Sequence, residues 1–383
     1  MKIGEHGSGS APESAEGGQP GPKPGSRKVV PLTIAALVLI AAFIFALPTI
    51  LREGSNFLSH LTTVTVDHPP TSTTGYATAS PLIQGGAANI TYPSDYSVVA
   101  AYAVDLINAD RANTSLSPVP LSPVPLSPVT LSPSMAGQQH ANSMLHYGYF
   151  SHYDTQGFAP YMRYSLLGGR GAVEENIAYI YNYPPQFTST SAVEDAIKAL
   201  EHEMINNDFD CCMNGHRDNI LNSLHNRVSI GIAYNGTNIY FVEDFENYYI
   251  NLDFVFSNTY YVTMTGAPLK SGISPNSIYV TYDNPPSAQT AVQLTNGPRE
   301  YGPGNLTGGV LPPCTIGCPA FQHGITVYAD TWKFTPTQVS VAFSLQEFIQ
   351  RYHEGVYTIY LVTGSNTFTA ITSISVFVVS ATA

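Results

Sequence analysis

The chain has 383 residues, which is long enough for two or three domains. Only 11% of the residues are charged, and a formal net charge of -12 with a pI near 5.2 leaves no basic surface to hold phosphates. This balance excludes nucleic acid as an expected partner. Few charges together with many Tyr, Gly and Pro residues favour an extracytoplasmic protein.

An apolar segment near the N-terminus predicts a membrane anchor. Residues 29–51 carry no charged side chain, and their length is enough to cross a bilayer core of ~30 Å as one helix. A cleaved signal peptide is the alternative, but its apolar stretch is shorter, ~7–15 residues, and leads into small residues at a cleavage site. Residues 47–51 offer no such site. Basic residues precede the segment, so the positive-inside bias places a disordered tail, 1–28, in the cytoplasm and the rest outside.

The chain after the anchor begins with polar and repetitive sequence. Residues 52–91 are rich in Ser and Thr and predict a stalk. Helical spacing of apolar residues predicts a first helix over 95–110. Residues 116–135 then repeat the motif Leu-Ser-Pro-Val. Proline at every fifth position forbids both a helix and a strand ladder, so we expect an extended surface loop. The alternative is a proline-rich docking ligand.

The sequence from 132 to 250 has the pattern of a mixed helix-and-sheet domain. Ser132-Pro133 predicts the cap and first turn of a second helix, which Gly148 should end. Alternating apolar residues around Asn235-Gly236 predict a hairpin over 228–245. Helices flanking a small antiparallel sheet indicate an α+β domain over 92–250. The other predicted elements are an extended segment over 175–181, a third helix over 192–206 and a short fourth helix over 216–222.

Three short segments, in this order, resemble one family. They are Phe150-Ser151-His152, Glu174-Glu175-Asn176-Ile177 and Gly215-His216-Arg217. The segments are similar to those of the CAP superfamily (cysteine-rich secretory proteins, antigen 5 and pathogenesis-related 1 proteins), in its bacterial and archaeal SCP-like branch, over residues 92–250. The resemblance implies an extracellular α-β-α sandwich. It also implies a protein that binds a lipid, another small ligand, or a cell-surface protein or glycan more readily than it catalyses a reaction.

In that family two histidines and two glutamates line a central cleft. The resemblance assigns His152, Glu175 and His216 to it. The second glutamate, which the family places three residues after a tryptophan, is assigned by helical phase to Glu203, with Leu200 in the place of the tryptophan. Two imidazoles and two carboxylates suit a weakly held divalent cation such as Zn²⁺. The alternative is a hydrogen-bonded cluster that holds loop, strand and helices together.

Enzymatic function is the competing hypothesis. A zinc ion at His152 and His216 would lower the pKa of a bound water, as in a metal-dependent peptidase or esterase. The segment His202-Glu203-Met204-Ile205-Asn206 begins like the zincin motif H-E-x-x-H but ends in Asn. No serine lies in a G-x-S-x-G turn, and His140 is interpreted as a packing histidine. We therefore expect binding without proteolysis; a purely adhesive protein of the cell envelope is the third alternative.

Four cysteines are present, and outside the membrane they could be oxidised. They are Cys211, Cys212, Cys314 and Cys318. The sequence cannot choose among the three pairings, although Cys314 and Cys318 would close a short local loop. A zinc site built from all four is the alternative, without the usual paired C-x-x-C spacing.

Residues 251–383 have a different pattern. Six runs rich in Val, Ile, Tyr and Thr are separated by Gly, Pro and Asn turns; they lie at 260–265, 277–282, 325–328, 339–343, 356–362 and 373–379. This pattern predicts an all-β, immunoglobulin-like sandwich without a catalytic motif.

Overall fold

The computed structural model describes residues 91–379, except 114–125, 183–184, 271, 274 and 364–368. The predicted tail, anchor and stalk, except residue 91, and much of the repeat loop lie outside the described residues. Among the helices that the structure describes, none has both the length and the apolar character needed to cross a bilayer. All the described residues belong to one compact unit.

The N-terminal part is a four-stranded sheet, ordered β1-β3-β4-β2, with helices on both faces. Strand β1 runs parallel to β3, and the other neighbours are antiparallel. This mixture of helix and sheet agrees with the predicted α+β class. The elements are α1 (Tyr96–Ala112), β1 (Thr130–Leu131), α2 (Ala136–Tyr147), α3 (Pro160–Leu166), β2 (Ala172–Tyr181), α4 (Thr190–Asn206), α5 (Phe209–Cys212), α6 (Gly215–Ile220), β3 (Arg227–Tyr234) and β4 (Asn238–Asn247).

The alternation of strand side chains explains why both faces of this sheet are covered. Val228 and Ile230 on β3 pack with α1 and α4 in one apolar cluster. Val242 on β4 belongs to a second cluster with Met144 of α2. Because successive strand residues point to opposite faces, a sheet that is apolar on both sides must bury both sides. Helices α1 and α4 cover one face of the sheet, and α2 covers the other.

The second helix starts later than predicted. Ser132 and Pro133 precede α2, which begins at Ala136. The backbone N–H of Ser132 donates to the carbonyl of Val228 at 2.7 Å, so this segment continues the pairing with β3 instead of starting a helix. The predicted end is confirmed: Gly148 adopts a φ of 69°, and its N–H donates to the carbonyl of Met144.

The C-terminal part is β-rich, with two sheets ordered β10-β11-β6-β5 and β13-β12-β7-β8-β9. Residues from both sheets share one apolar core, in which Met264 of the first sheet and Ile359 of the second are fully buried. The elements are β5 (Ile250–Phe256), β6 (Tyr261–Pro268), β7 (Ser277–Asp283), α7 (Ala291–Thr295), β8 (Asn305–Leu311), β9 (Ile325–Tyr328), β10 (Thr331–Thr335), β11 (Gln338–Ser344), α8 (Gln346–Tyr352), β12 (Gly355–Thr363) and β13 (Thr369–Val378).

The two parts meet along β13. The backbone N–H of Ser373 donates to the carbonyl of Gly171 at 3.1 Å, and the N–H of Ser375 donates to the hydroxyl of Ser165 at 3.0 Å. The connection between β7 and β8 also crosses onto the N-terminal part, where Leu294 is buried in the cluster of α2. This connection lies beside the predicted cleft.

Candidate functional site

His152 and Glu175 form a buried pair. Nδ1 of His152 lies 2.9 Å from Oε1 of Glu175, and their side chains are 11% and 0% exposed. The second carboxylate oxygen, Oε2, accepts from Arg163 of α3 at 2.6 Å. Strand β2 fixes the carboxylate, and the loop after α2 brings the imidazole to it.

The charge state of this pair follows from its neighbours. Burial would raise the pKa of Glu175, but the adjacent Arg163 guanidinium lowers that pKa to about 2. Asp244 lies opposite Glu175 on β4, and burial together with the Glu175 charge raises the pKa of Asp244 well above its ordinary value. The site therefore contains one carboxylate paired with arginine and one carboxyl group that favours its protonated form.

His140 lies directly behind the pair and is fully buried. Burial lowers the pKa of His140 to about 3, so its ring is neutral at pH 7. Nε2 of His140 lies 2.8 Å from the carbonyl oxygen of Ser151, which can only accept, so the N–H is on Nε2. These contacts fix the loop that carries His152, in agreement with the predicted packing role of His140.

Tyr301 of the β7–β8 connection lies over the pair. Its hydroxyl accepts from the backbone N–H of Glu175 at 2.6 Å, and its ring centroid lies 4.8 Å from that of His152. Earlier in the same connection, the hydroxyl oxygen of Thr295 accepts from the N–H of Phe150 at 3.4 Å. The C-terminal part thus closes the pair from outside. Local sequence carried no signal of this contact.

His216 has a different partner. Its Nδ1 lies 2.6 Å from Oδ1 of Asp208, whose side chain is 1% exposed. The backbone N–H of Arg217 donates to the other oxygen, Oδ2, at 3.1 Å. Helices α5 and α6 bring these groups together. The prediction identified His216 but missed Asp208.

The orientation predicted for Glu203 is wrong. Its side chain is 64% exposed, and both carboxylate oxygens accept from the amide of Asn207 at 3.0 Å. The buried residues of α4 include Ile197, Glu201 and Ile205. Glu201 lies four residues from each isoleucine, and this spacing places it on the inward side.

Glu201 and Glu243 form a second buried acidic pair. Neither carboxylate oxygen of Glu201 has a hydrogen-bond partner among the described residues. Burial, followed by repulsion from Glu243, raises the pKa of Glu201 well above its ordinary value. Oε2 of Glu243 accepts from the amide of Asn176 at 3.1 Å. That amide lies 3.3 Å from the carbonyl oxygen of His216.

Strand β2 separates the two groups of polar side chains. Glu175 pairs in register with Asp244, and Asn176 pairs with Glu243. Adjacent strand residues point to opposite faces, so the His152–Glu175 pair and the Glu201–Glu243 pair lie on opposite faces of the sheet. His216 contacts the group around Asn176.

The four predicted metal ligands, His152, Glu175, Glu203 and His216, do not form the donor set of a structural zinc site. Both oxygens of Glu175 already have partners, in His152 and Arg163, and Glu203 points to solvent. A structural zinc site needs four protein ligands within ~2.0–2.3 Å of the ion. These residues do not fit that requirement, and we derive no chemistry through a metal at this set.

Residues 104–249 match the model of the cysteine-rich secretory protein family, CAP. No curated protein matches the chain. An extracellular protein containing an SCP domain from Bacillus anthracis str. Ames is a similar solved structure, at 18% identity and a TM-score of 0.28. The match covers 41% of this chain and 44% of that one, so the chain spans less than half of that neighbour. The three ordered motifs all lie within the matched residues, so the family match and the motifs agree that residues 104–249 form a CAP domain.

Proposed function

We propose that the protein is an extracytoplasmic binding protein, anchored by residues 29–51, whose CAP domain binds a glycan of the cell surface. The observation that carries this proposal is an aromatic row along strand β2, which lies at the edge of the CAP sheet. The row consists of the exposed Tyr179 and Tyr181, the half-buried Phe150 and the buried Tyr240.

The row is built from side chains of one sheet face and one loop. Tyr179 and Tyr181 are two residues apart on β2 and are 47% and 60% exposed. The ring of Tyr179 lies 4.6 Å from that of Phe150 and stacks on that of Tyr240 at 5.9 Å. The rings of Phe150 and Tyr240 thus restrict the ring of Tyr179 from two sides. A preordered surface binds with a smaller entropy cost than a mobile one.

Neutral sugar is the ligand chemistry that suits such a row. The C–H groups on one face of a pyranose ring pack against the electron-rich face of an aromatic ring, and tyrosine adds a hydroxyl that can bond to the sugar. Anionic lipid headgroups are less suitable, because the chain carries a net charge of -12. Contiguous exposed aromatic surface is itself typical of a binding site.

The His152–Glu175 pair supports this surface and does not act in hydrolysis. A general base must reach the proton that it removes, whereas Glu175 is fully buried and already bonded to Arg163 and His152. The pair fixes the loop that continues from Phe150 to His152. Its expected role is to hold that loop and the β-rich part in place.

The test is binding of the full chain, in detergent, to immobilised neutral oligosaccharides of hexose and N-acetylhexosamine units. We expect Tyr179→Ala to weaken binding at least ~10-fold, since stacking on an aromatic hot-spot residue contributes ~2 kcal/mol or more. Tyr92 is 44% exposed, so Tyr92→Ala is a control of similar exposure and should bind like wild type. Equal binding by both variants, or no binding by wild type, would refute the proposal.

A further inference from the structure

A cluster of metal-binding side chains lies outside the predicted set. Asp208, Cys211, Cys212 and His216 each offer one ligand atom, and these atoms all lie within 4.8 Å of one another. Of these four, only His216 belongs to the predicted His/Glu set; Cys211 and Cys212 were considered as ligands only in the alternative of a zinc site built from all four cysteines. The four residues belong to α5, α6 and the residue before α5.

Local backbone geometry brings the four side chains together. Helix α5 ends at Cys212, and the next two residues, Met213 and Asn214, both have left-handed backbone angles, with φ of 50° and 67°. Two successive left-handed residues reverse the chain within one turn. As a result, the imidazole of His216 returns to Asp208, at 2.6 Å. Cys211 Sγ lies 3.5 Å from the same oxygen, Oδ1 of Asp208.

The donor types match one class of ion. Two sulfurs, one imidazole nitrogen and one carboxylate oxygen form a four-ligand set that suits Zn²⁺. Ligand bonds of ~2.0–2.3 Å in a tetrahedron separate the ligand atoms by ~3.3–3.8 Å. The observed separations depart from this range in both directions. His216 and Asp208 are closer, at 2.6 Å, the two sulfurs are bonded to each other, and no pair is further apart than 4.8 Å. Breaking the sulfur–sulfur bond and rotating the side chains can supply these adjustments.

We propose that Asp208, Cys211, Cys212 and His216 form a zinc site when the two cysteines are reduced. In the structure Cys211 and Cys212 are joined by a disulfide, and this form has no thiolate to offer. An external dithiol reduces it by exchange: the protein gains two thiols while the reagent becomes its cyclic disulfide. Binding of Zn²⁺ then releases the two thiol protons and forms two zinc–sulfur bonds.

Cobalt is the probe for the test, because Co²⁺ occupies tetrahedral zinc sites and a cobalt–thiolate bond gives a charge-transfer absorption. The full chain in detergent is reduced with a dithiol, freed of it without oxygen, and titrated with Co²⁺ and then with Zn²⁺. We expect a single cobalt ion per chain with charge-transfer absorption, displaced by zinc. The oxidised protein should not give this absorption.

The second pair of cysteines provides a matched control. Cys314 and Cys318 form the other disulfide, so Cys314→Ser/Cys318→Ser also removes two thiols but should leave the cobalt spectrum unchanged. Cys211→Ser/Cys212→Ser should abolish the thiolate absorption. His216→Ala should weaken binding about 100-fold or more, since even the loss of an outer-sphere partner costs ~10–100-fold.

Three results would overturn the proposal. The first is cobalt binding without charge-transfer absorption in the reduced wild type. The second is absorption that survives Cys211→Ser/Cys212→Ser. The third is absorption that disappears in Cys314→Ser/Cys318→Ser while circular dichroism shows a retained fold. None of these readouts depends on glycan binding, so this site and the proposed function can fail separately.

Discussion

The hydroxyl of Tyr301 accepts a hydrogen bond from the backbone N–H of Glu175, across 126 positions of sequence. The first residue belongs to the β-rich part and the second to the CAP sheet. The N–H at the edge of β2 is therefore satisfied by another part of the chain and not by water. This contact makes the buried pair dependent on the C-terminal part for its cover.

Two replacements of Tyr301 should destabilise the protein to different degrees. Tyr301→Phe keeps the ring over His152 but leaves the N–H of Glu175 without its acceptor, at a cost of about 1–2 kcal/mol. Tyr301→Ala also leaves a cavity beside His152 and should cost about 3–5 kcal/mol. Urea unfolding measures both changes. Tyr181→Phe, at a position that is 60% exposed, is the control and should cost less than about 0.5 kcal/mol.

Glu175→Gln should leave the buried guanidinium of Arg163 without its counter-charge. The expected loss in the free energy of unfolding at pH 7 is about 3–5 kcal/mol. Burial raises the pKa of Glu175, but Arg163 outweighs this and lowers the pKa to about 2. The pairing therefore contributes stability above the unfolded-state pKa, and wild type loses this part as pH falls from about 4.5 towards 2.

The measurement is urea unfolding of Glu175→Gln and wild type across this acid range. The difference between them should shrink as pH falls. The exposed Glu347 supplies the control, Glu347→Gln, whose difference from wild type should stay small throughout. A Glu175→Gln variant with wild-type stability at pH 7 would contradict the assigned ion pair.

Glu201 should show the opposite dependence on pH. Burial, followed by the neighbouring Glu243, raises the pKa of Glu201. A raised pKa means that the folded protein retains a proton that the unfolded chain releases, so stability falls as pH rises above about 4.5. Glu201→Gln removes this loss and should be about 1–3 kcal/mol more stable than wild type at pH 8.

Glu203→Gln is the matched control for Glu201→Gln, two positions away on the same helix. Because Glu203 is 64% exposed, its replacement should change stability by less than about 0.5 kcal/mol at pH 5 and pH 8. Thermal unfolding at both pH values separates the two variants. If Glu203→Gln stabilised the protein and Glu201→Gln did not, Glu203 and not Glu201 would have to lie on the inward face of the helix.

Gly231→Ala should be among the most damaging small substitutions. A Cβ at Gly231 would overlap the backbone of Gly137 in α2, so the helix would have to move from the sheet, at about 3 kcal/mol or more. Gly215→Ala is the control, because no atom outside its own helical turn lies within 4 Å of the added carbon. Its expected change is below about 1 kcal/mol. Equal melting temperatures of the two variants would contradict this packing.

Local pattern predicted much of the fold. The Asn235-Gly236 turn fixed the β3–β4 hairpin, and alternating β-branched residues identified strands such as β7 and β12. Strand β8 was missed because Gly308 and Gly309 interrupt its pattern. In the structure a Cβ at Gly308 would overlap the backbone of Ile325 in β9, so the absence of a side chain is what allows this close pairing.

The site was less predictable, for physical reasons. The order of the three motifs correctly predicted that His152 and Glu175 lie together. The helical phase of Glu203 was set by Ala196, Ala199 and Leu200. It failed because Ala199, one of these three, is exposed. The buried Ile197 and Ile205 would have indicated Glu201. Tyr301 could not be found by any local signal, since its contact depends on how two distant parts of the chain pack.

The docking of β13 and Tyr301 onto the CAP domain has a consequence for biosynthesis. During synthesis, the hydrogen-bond partner of Glu175 is made 126 residues after it, and that of Gly171 is made 202 residues after it. At a synthesis rate of about 5–20 residues per second, this interval lasts roughly 6–40 s. During that time, the edge of β2 and the Arg163–Glu175 ion pair of the nascent CAP domain lack the cover that the C-terminal part later supplies. Its exposure to chaperones and proteases is therefore set by how quickly the last strand is delivered.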